Sequence, residues 1–373
     1  MDDFKINVGI IIGGRSVERE ISLISGLQAY LAIDESKYNK KIFYLDENNK
    51  LYVGDKLHNL ETYKENNFKE IKEVFLSNDN NQVYYSYLNR PRKKYPIDIF
   101  IPVVHGYGME DGTIVSYLDM YNAIYTSSNV IPSAIVQDKD ATKALLKHYN
   151  IKTLEWDTLF ENYNIEKINN FPLVVKPSYL GSSIGIKLVK DQTELKDALK
   201  EAFKYVDKVI IEKGLINFNE FNCAVFIDHG KIIPSAVEQV LHEKDILTFV
   251  EKYENELDKL SDACNRIIPA QIESKLYQKI QNLSVDIYKK FNLSGVVRID
   301  YLYDLDNNEI YVNEINNIPG SLSFYLYEPL GIDFTNFIDM LIKNAIINHS
   351  KKLSKITSFK SNVLNRKSTK LKK

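Results

Sequence analysis

Cysteine is scarce in this chain: Cys223 and Cys264 are the only two among 373 residues. Two thiols are too few for a disulfide framework, and neither has the partner spacing of a zinc site. A reducing compartment, the cytoplasm, is expected. Long apolar runs are missing as well. The aliphatic stretch at residues 8–12 is far too short for a signal-peptide core, and no run approaches the roughly 18 residues of a membrane span. Nor does either sign of charge dominate, since 48 Lys and Arg against 50 Asp and Glu leave a formal charge of −2. The overall field therefore gives no reason to expect nucleic acid or a membrane surface as partner. One asymmetry is hidden in that balance: residues 351–373 hold nine basic residues and no acidic one. Lacking a clean amphipathic period, this tail reads as a solvated, disordered terminus. The dinucleotide fingerprint G-x-G-x-x-G is also absent. Gly13-Gly14-Arg15-Ser16-Val17-Glu18 lacks its pyrophosphate turn, which argues against an NAD-dependent oxidoreductase.

What is present points to an enzyme-sized α/β protein. Hydrophobic residues make up 44% of the chain, more at this length than one core accommodates, so two or three domains are expected. Residues 8–14 (VGIIIGG) read as a buried parallel strand entering a tight glycine turn. From Ser16 to Gly26 the apolar Val17, Ile21 and Ile24 fall at helical spacing, with Ser16 placed to cap. Strand, glycine turn and helix open a doubly wound α/β domain. Residues 97–104 (IDIFIPVV) read as a second buried strand ending at His105-Gly106, where a parallel strand delivers residues to a ligand crevice. The stretch 46–96, rich in Asn, Lys and Tyr, is expected to form edge strands and loops. Further on, a helix starts at Asp138 (DKDATKALLKHY), and residues 171–189 spell strand, Gly/Ser-rich turn, strand. Residues 208–211 form a strand ending in Glu212. Residues 295–303 and 309–315 read as an antiparallel hairpin joined by DLDNN.

That last hairpin carries the strongest local chemistry. Asp300 lies on one strand, and Glu314 and Asn316 lie two residues apart, hence on one face, of its partner. Such oxygen ligands suit Mg²⁺ and leave positions for phosphate oxygens, unlike a zinc site. Read in isolation, the same residues equally make a solvated strand face. Lys139 and Lys176 each sit at an element junction. Lys176 follows an aliphatic strand and precedes Pro177, so a stem buried among apolar neighbours would need an anion at its tip. Beside it, Gly181-Ser182-Ser183-Ile184-Gly185 offers close backbone approach with hydroxyl and amide donors for phosphate. Alone, that run is also an ordinary hairpin turn.

The order of the pieces is more specific than any one of them. Residues 13–26 (GGRSVEREISLISG), 105–112 (HGYGMEDG), 138–143 (DKDATK), 174–186 (VVKPSYLGSSIGI), 297–301 (VRIDY) and 312–320 (VNEINNIPG) together resemble the D-alanine:D-alanine ligases of the ATP-grasp superfamily. The resemblance covers most of residues 6–345. It implies an α/β ATP-grasp architecture of three domains with ATP between the central and C-terminal ones. Residues 1–136 would bind the first substrate, 137–222 would carry the lid loop, 223–350 would hold the catalytic and metal groups, and 351–373 would be the tail.

Residue by residue, the resemblance implies that Glu18 holds the ammonium of the first amino acid, with His105 beside its carboxylate. Lys139 and Lys176 would contact ATP phosphates beneath a lid carrying Ser182 and the catalytic Ser183. Glu212, Lys213 and Leu215 would meet adenine and Glu220 the ribose. Lys252 and Tyr253 would end a mobile loop over the site. Arg298 and the Gly320 amide would form an oxyanion hole, and Asp300, Glu314 and Asn316 would hold two Mg²⁺ or Mn²⁺ ions. The implied activity is ATP-dependent joining of two D-amino acids through an acyl phosphate, giving D-alanyl-D-alanine for peptidoglycan, in a cytoplasmic homodimer.

The chain departs from the family pattern at three places. Met109 stands where a glycine is common, the NTxPG motif reads Asn316-Asn317-Ile318-Pro319-Gly320, and Tyr325 aligns with the serine that binds the second substrate's carboxylate. Ser321 and Ser323 lie close to that position. The second substrate therefore stays open between D-alanine and D-serine, D-lactate or another amino acid or amine. A nucleotide-binding module without catalysis is disfavoured, because it would have no use for Arg298, Asp300, Glu314 and Asn316 together.

Overall fold

The computed structural model describes residues 5–161, 164–241 and 266–356. Lys252, Tyr253, Cys264 and the tail from residue 357 onward lie outside the described residues. Three sheets organise the described residues. The first joins β1 (Ile6–Gly13), β2 (Tyr38–Leu45), β3 (Leu51–Val53), β4 (Lys72–Asp79), β5 (Gln82–Tyr87), β6 (Tyr95–Ile97) and β7 (Ile99–Pro102) in the order β6-β5-β4-β3-β2-β1-β7. β1 runs parallel to β2 and β7. Its Ile10, Ile11 and Ile12 are fully buried, as expected of a central parallel strand covered on both faces. Beyond β2 the sheet continues as an antiparallel meander, so residues 46–96 build half of this sheet. The stretch 97–104 is divided, Ile97 ending edge strand β6 and Ile99 opening β7.

The first helix begins later than its apolar spacing indicates, at Arg19–Ala32. Ser16 is not its cap: its Oγ accepts from the Glu18 amide at 3.1 Å, and Val17 is 54% exposed instead of facing the core. The turn is held by Ser22, whose Oγ accepts from the Gly13 amide at 2.8 Å and donates to the Val103 carbonyl. This delay leaves Glu18 at the carboxyl end of β1, beside the end of β7.

The second sheet has the order β10-β9-β11-β8 and is antiparallel throughout, formed by β8 (Trp156–Phe160), β9 (Leu173–Pro177), β10 (Lys187–Val189) and β11 (Lys208–Lys213). The helix Gln192–Ala202 closes its core through Leu195, Ala198 and Leu199. The third sheet contains β12 (Phe218–Asp228), β13 (Lys231–Val240), β14 (Arg266–Ile267), β15 (Val297–Asp304) and β16 (Glu309–Asn316), ordered β14-β13-β12-β15-β16. The helix Ser274–Lys290 buries Ile280 and Ile287 on one of its faces. The helix Phe334–Leu353 packs Phe337, Ile338 and Leu341 into a core shared by the first sheet and Phe226 of β12. It therefore extends helix into residues 351–353, the start of the expected tail. Among the described residues no helix is long and apolar enough to cross a membrane.

Candidate active site

β15 and β16 pair antiparallel with Arg298 opposite Asn316 and Asp300 opposite Glu314. Directly opposed residues share a face, so the two carboxylates and the amide converge. Register then slips between Asp300 and Tyr301, and the extra residue on β16 is Asn313. A bulge re-aims side chains, and here Asn313 Oδ1 accepts from Lys176 Nζ at 2.8 Å, across from the second sheet. Arg298 grips Asp300 with two bonds, Nε to Oδ1 at 2.7 Å and Nη2 to Oδ2 at 2.8 Å, and Asn316 Nδ2 donates to Oδ2 at 3.0 Å. Burial pushes the Asp300 carboxyl up to about 6; Arg298 opposes this, while Glu314 and Glu220 add to it. Acids that crowd one another in this way are a ready seat for a hard cation. A polar cavity of about 20 Å³ between Glu110, Lys139, Glu314 and Asn316 has room for about one water-sized species. The donor set thus fits Mg²⁺.

The lysines meet this hairpin from the second sheet and the helix Lys139–His148. Asp138 caps that helix, accepting from the Asp140 and Ala141 amides, and so fixes Lys139 in its first turn. Lys139 Nζ donates to the Leu180 carbonyl and lies 3.9 Å from Glu314 Oε2; burial lowers its ammonium pKa, with Glu314 opposing. Lys176 pairs with the carboxylate of Glu212. The other Glu212 oxygen is 2.7 Å from Lys143 Nζ, and both partners are almost wholly buried. Burial works against charge on Glu212, but Lys176 and Lys143 outweigh it and hold the carboxyl below its usual range. The Glu212 side chain thus turns inward to the lysines, while its strand borders an open cleft of about 1190 Å³ shared with Trp156, Phe171, Lys213 and Gly214. Leu215 and Glu220 are half-buried just beyond, and Glu220 is close enough to act on Asp300.

Glu18 is reached from two loops. Ser182 Oγ donates to its Oε1, and Ser182 and Ser183 both adopt left-handed backbone, φ 55° and 59°. A Cβ on Gly106 would fall 2.7 Å from Glu18 Oε2, and one on Gly181 3.0 Å from it. Glycine at both positions is what lets the loops close on the carboxylate. His105 is buried, with its Nδ1 4.0 Å from Glu110 Oε2, and its Nε2 has no protein partner among the described residues. Burial, against a bond to the Ile318 carbonyl and aided by Arg298, lowers the imidazole to about 4. At neutral pH the ring is therefore uncharged and carries a single N–H. Burial and the neighbouring charges of Glu18 and Glu314 raise the Glu110 carboxyl well above its ordinary range.

After Gly320, where an added Cβ would meet nothing within 4 Å, Ser321, Leu322 and Ser323 all take left-handed φ of 50–51°. Ser25 Oγ accepts from the Ser321 amide at 2.9 Å. Ser323 is fully buried, and its Oγ has no partner among the described residues. Tyr325 has its hydroxyl 3.4 Å from Glu238 Oε2 and Arg266 4.6 Å over its ring, and it lies close enough to act on the Arg298 guanidinium. Glu238 is buried and also accepts from Asn222 and Arg266.

Four polar residues were not singled out from sequence: Glu110, Lys143, Asn313 and Glu238. Lys143 was within reach, being four residues from Lys139 and hence on the same helical face. Asn313 depends on a bulge that strand alternation does not reveal. Among the described residues no three His, Cys, Asp or Glu side chains form a metal-type cluster; the set on the hairpin is two carboxylates and an amide.

Comparison with known proteins agrees with this geometry. Residues 7–128 match the family model described as D-ala D-ala ligase N-terminus, and residues 144–343 that described as D-ala D-ala ligase C-terminus. The D-alanine–D-alanine ligase of Thermosipho africanus is 37% identical over 369 residues, covering 97% of this chain and 99% of its own. Among solved structures, the D-alanine-D-alanine ligase of Coxiella burnetii superposes with a TM-score of 0.80 at 26% identity, covering 94% of this chain and 96% of the other. The VanG D-Ala:D-Ser ligase of Enterococcus faecalis gives 0.77 at 27% identity, covering 92% and 100%. Matched along both of its halves and alike in fold, the chain belongs to the D-alanine–D-alanine ligase family and has the ATP-grasp fold.

Proposed function

We propose that the chain joins two molecules of D-alanine at the expense of ATP, for peptidoglycan synthesis. The observation that carries the reading is the meeting of Lys139 and Lys176 with the Asp300–Glu314–Asn316 face, Lys139 Nζ standing 3.9 Å from Glu314 Oε2 across two elements. ATP lies between the second and third sheets, its adenine in the cleft by Lys213 and Leu215, its ribose at Glu220 and its phosphates at the lysines and the Ser182–Ser183 loop. The proposed division into residues 1–136, 137–222 and 223–350 goes with this placement, its second boundary falling inside β12 (Phe218–Asp228) of the third sheet. Asp300, Glu314 and Asn316 would hold Mg²⁺, two ions by family likeness. Bound there, the metal supplies positive charge to the phosphoryl oxygens.

Glu18 binds the first D-alanine's ammonium and His105 its carboxylate. A carboxylate oxygen attacks the γ-phosphorus, the bond to the ADP oxygen breaks, and an acyl phosphate forms while the lysines offset the charge. The amine of the second D-alanine attacks the acyl carbon, Arg298 and the Gly320 amide stabilise the oxyanion, and inorganic phosphate leaves with one carboxylate oxygen. Family membership supports a cytoplasmic homodimer. ADP release measured with a coupled assay should require D-alanine and Mg²⁺ together, with D-alanyl-D-alanine found by mass. ADP release indifferent to any amino acid would reject the reading.

A different nucleophile is the second reading, favoured by Tyr325 standing beside buried Glu238. A misplaced donor for a buried carboxylate costs roughly 1 to 3 kcal/mol, about tenfold or more in selectivity. Tyr325→Ser should then reorder kcat/KM among D-alanine, D-serine and D-lactate as second substrate, leaving KM for ATP nearly unchanged. An identical ranking in both proteins removes Tyr325 from that subsite.

A further inference from the structure

The two loops that close on Glu18 also touch outside the pocket. Tyr107, in the loop that carries His105 and Glu110, stacks on Tyr179 at the start of the Gly181–Ser183 turn, with ring centroids 5.2 Å apart and planes at 20°. Tyr107 is 48% exposed, so it belongs to the rim and not to a core. Tyr179 is the better anchored of the two. Its carbonyl accepts from Gln137 Nε2 at 2.5 Å, and Lys208 Nζ lies 5.4 Å from its ring centroid. Lys208 is in turn paired with Asp138, the cap of the Lys139 helix.

We propose that Tyr107 is a positioning residue that latches the 179–185 loop over the first-substrate pocket by stacking on Tyr179. The proposal rests on reading Glu18 as the ligand of the first amino acid. Ser182 and Gly181 both lie against the Glu18 carboxylate, so an ammonium held there is enclosed by this loop. A contact present only in the closed arrangement raises the closed fraction, and apparent affinity scales with that fraction. A stacked aromatic pair is worth roughly 0.5–1.5 kcal/mol beyond its area, which converts at 1.4 kcal/mol per decade to about 2- to 12-fold. The phenol oxygens are not needed for this; the rings are.

The full-length chain tests the latch with four variants. Tyr107→Ala and Tyr179→Ala should each raise KM for the first D-alanine about 2- to 12-fold with a smaller change in kcat, and Tyr107→Phe should behave as wild type. The double variant should be no worse than the worse single one, because both remove the same contact. Amide hydrogen exchange of the ligand-free chain supplies a readout that does not depend on catalysis. The peptide spanning residues 179–186 should exchange faster in Tyr107→Ala, by a similar factor, and at the wild-type rate in Tyr107→Phe. Loss of D-alanine-dependent turnover in wild type with the exchange pattern intact would reject the assigned reaction and leave the latch standing. Unchanged exchange in Tyr107→Ala, or KM effects that multiply in the double variant, would overturn the latch.

Discussion

At the scale of single residues the site is defined by groups whose charge the fold has altered. His105 is the clearest, lowered from 6.5 to about 4 by burial. A histidine depressed in the folded state binds its proton more weakly there than in the unfolded chain. Stability is then indifferent to this group above about pH 6.5 and declines as pH falls from 6.5 towards 4, by on the order of 3 kcal/mol in all. Asp300, raised to about 6, acts in the opposite sense between pH 6 and its ordinary value. The test is therefore a difference: urea melts of wild type and His105→Gln from pH 7.5 to 4.5, where the variant should lose less stability on acidification. Equal slopes would mean that His105 keeps an ordinary pKa. Glu314 is tested by its charge alone. Glu314→Gln preserves shape but removes half of the carboxylate charge on the hairpin face, so turnover should be lost with a melting temperature within a few degrees of wild type. Activity within a few-fold of wild type at saturating Mg²⁺ would take Glu314 out of the site.

At the scale of elements, the turn before the Lys139–His148 helix links stability to chemistry. Asp138 accepts from two amides of that helix and from Ser178 Oγ at 2.7 Å, and pairs with Lys208. Asp138→Ala removes the cap, at about 0.5–2 kcal/mol, and frees the turn that aims Lys139. The melting temperature should fall and KM for ATP should rise together; a stability loss with unchanged KM would show that Lys139 is aimed by other contacts. Several elements were legible in sequence for physical reasons. The helix from Asp138 was legible, and the hairpins at 171–189 and 295–315 carry local signals, a Gly/Ser-rich turn and the polar DLDNN turn. The delayed first helix was not legible, because Val17 at helical spacing imitates a core residue and the turn is set by Ser22 reaching Val103, a contact made 81 residues away. The Asn313 bulge and the left-handed run Ser321–Ser323 are likewise consequences of packing, with no glycine to announce them.

At the scale of the molecule, three sheets bring side chains from residues 18 to 316 into one place, and no single segment has enough of them to act. Glu18 and His105 come from the ends of parallel strands, Lys176 and Glu212 from the second sheet, and Arg298, Asp300, Glu314 and Asn316 from one hairpin. The sequence motifs name most of these residues, whereas their mutual partners, Lys143 on Glu212 and Glu110 near His105, emerge only on folding. The arrangement is committed to activating a carboxylate by phosphorylation before the amine attacks, and that commitment can be read from where an oxygen goes. D-alanine labelled with ¹⁸O in its carboxylate is supplied with ATP, Mg²⁺ and the full-length chain, and the released inorganic phosphate is weighed. One ¹⁸O per phosphate, in step with dipeptide formed, is the result the acyl phosphate requires. Unlabelled phosphate accompanying dipeptide would contradict it.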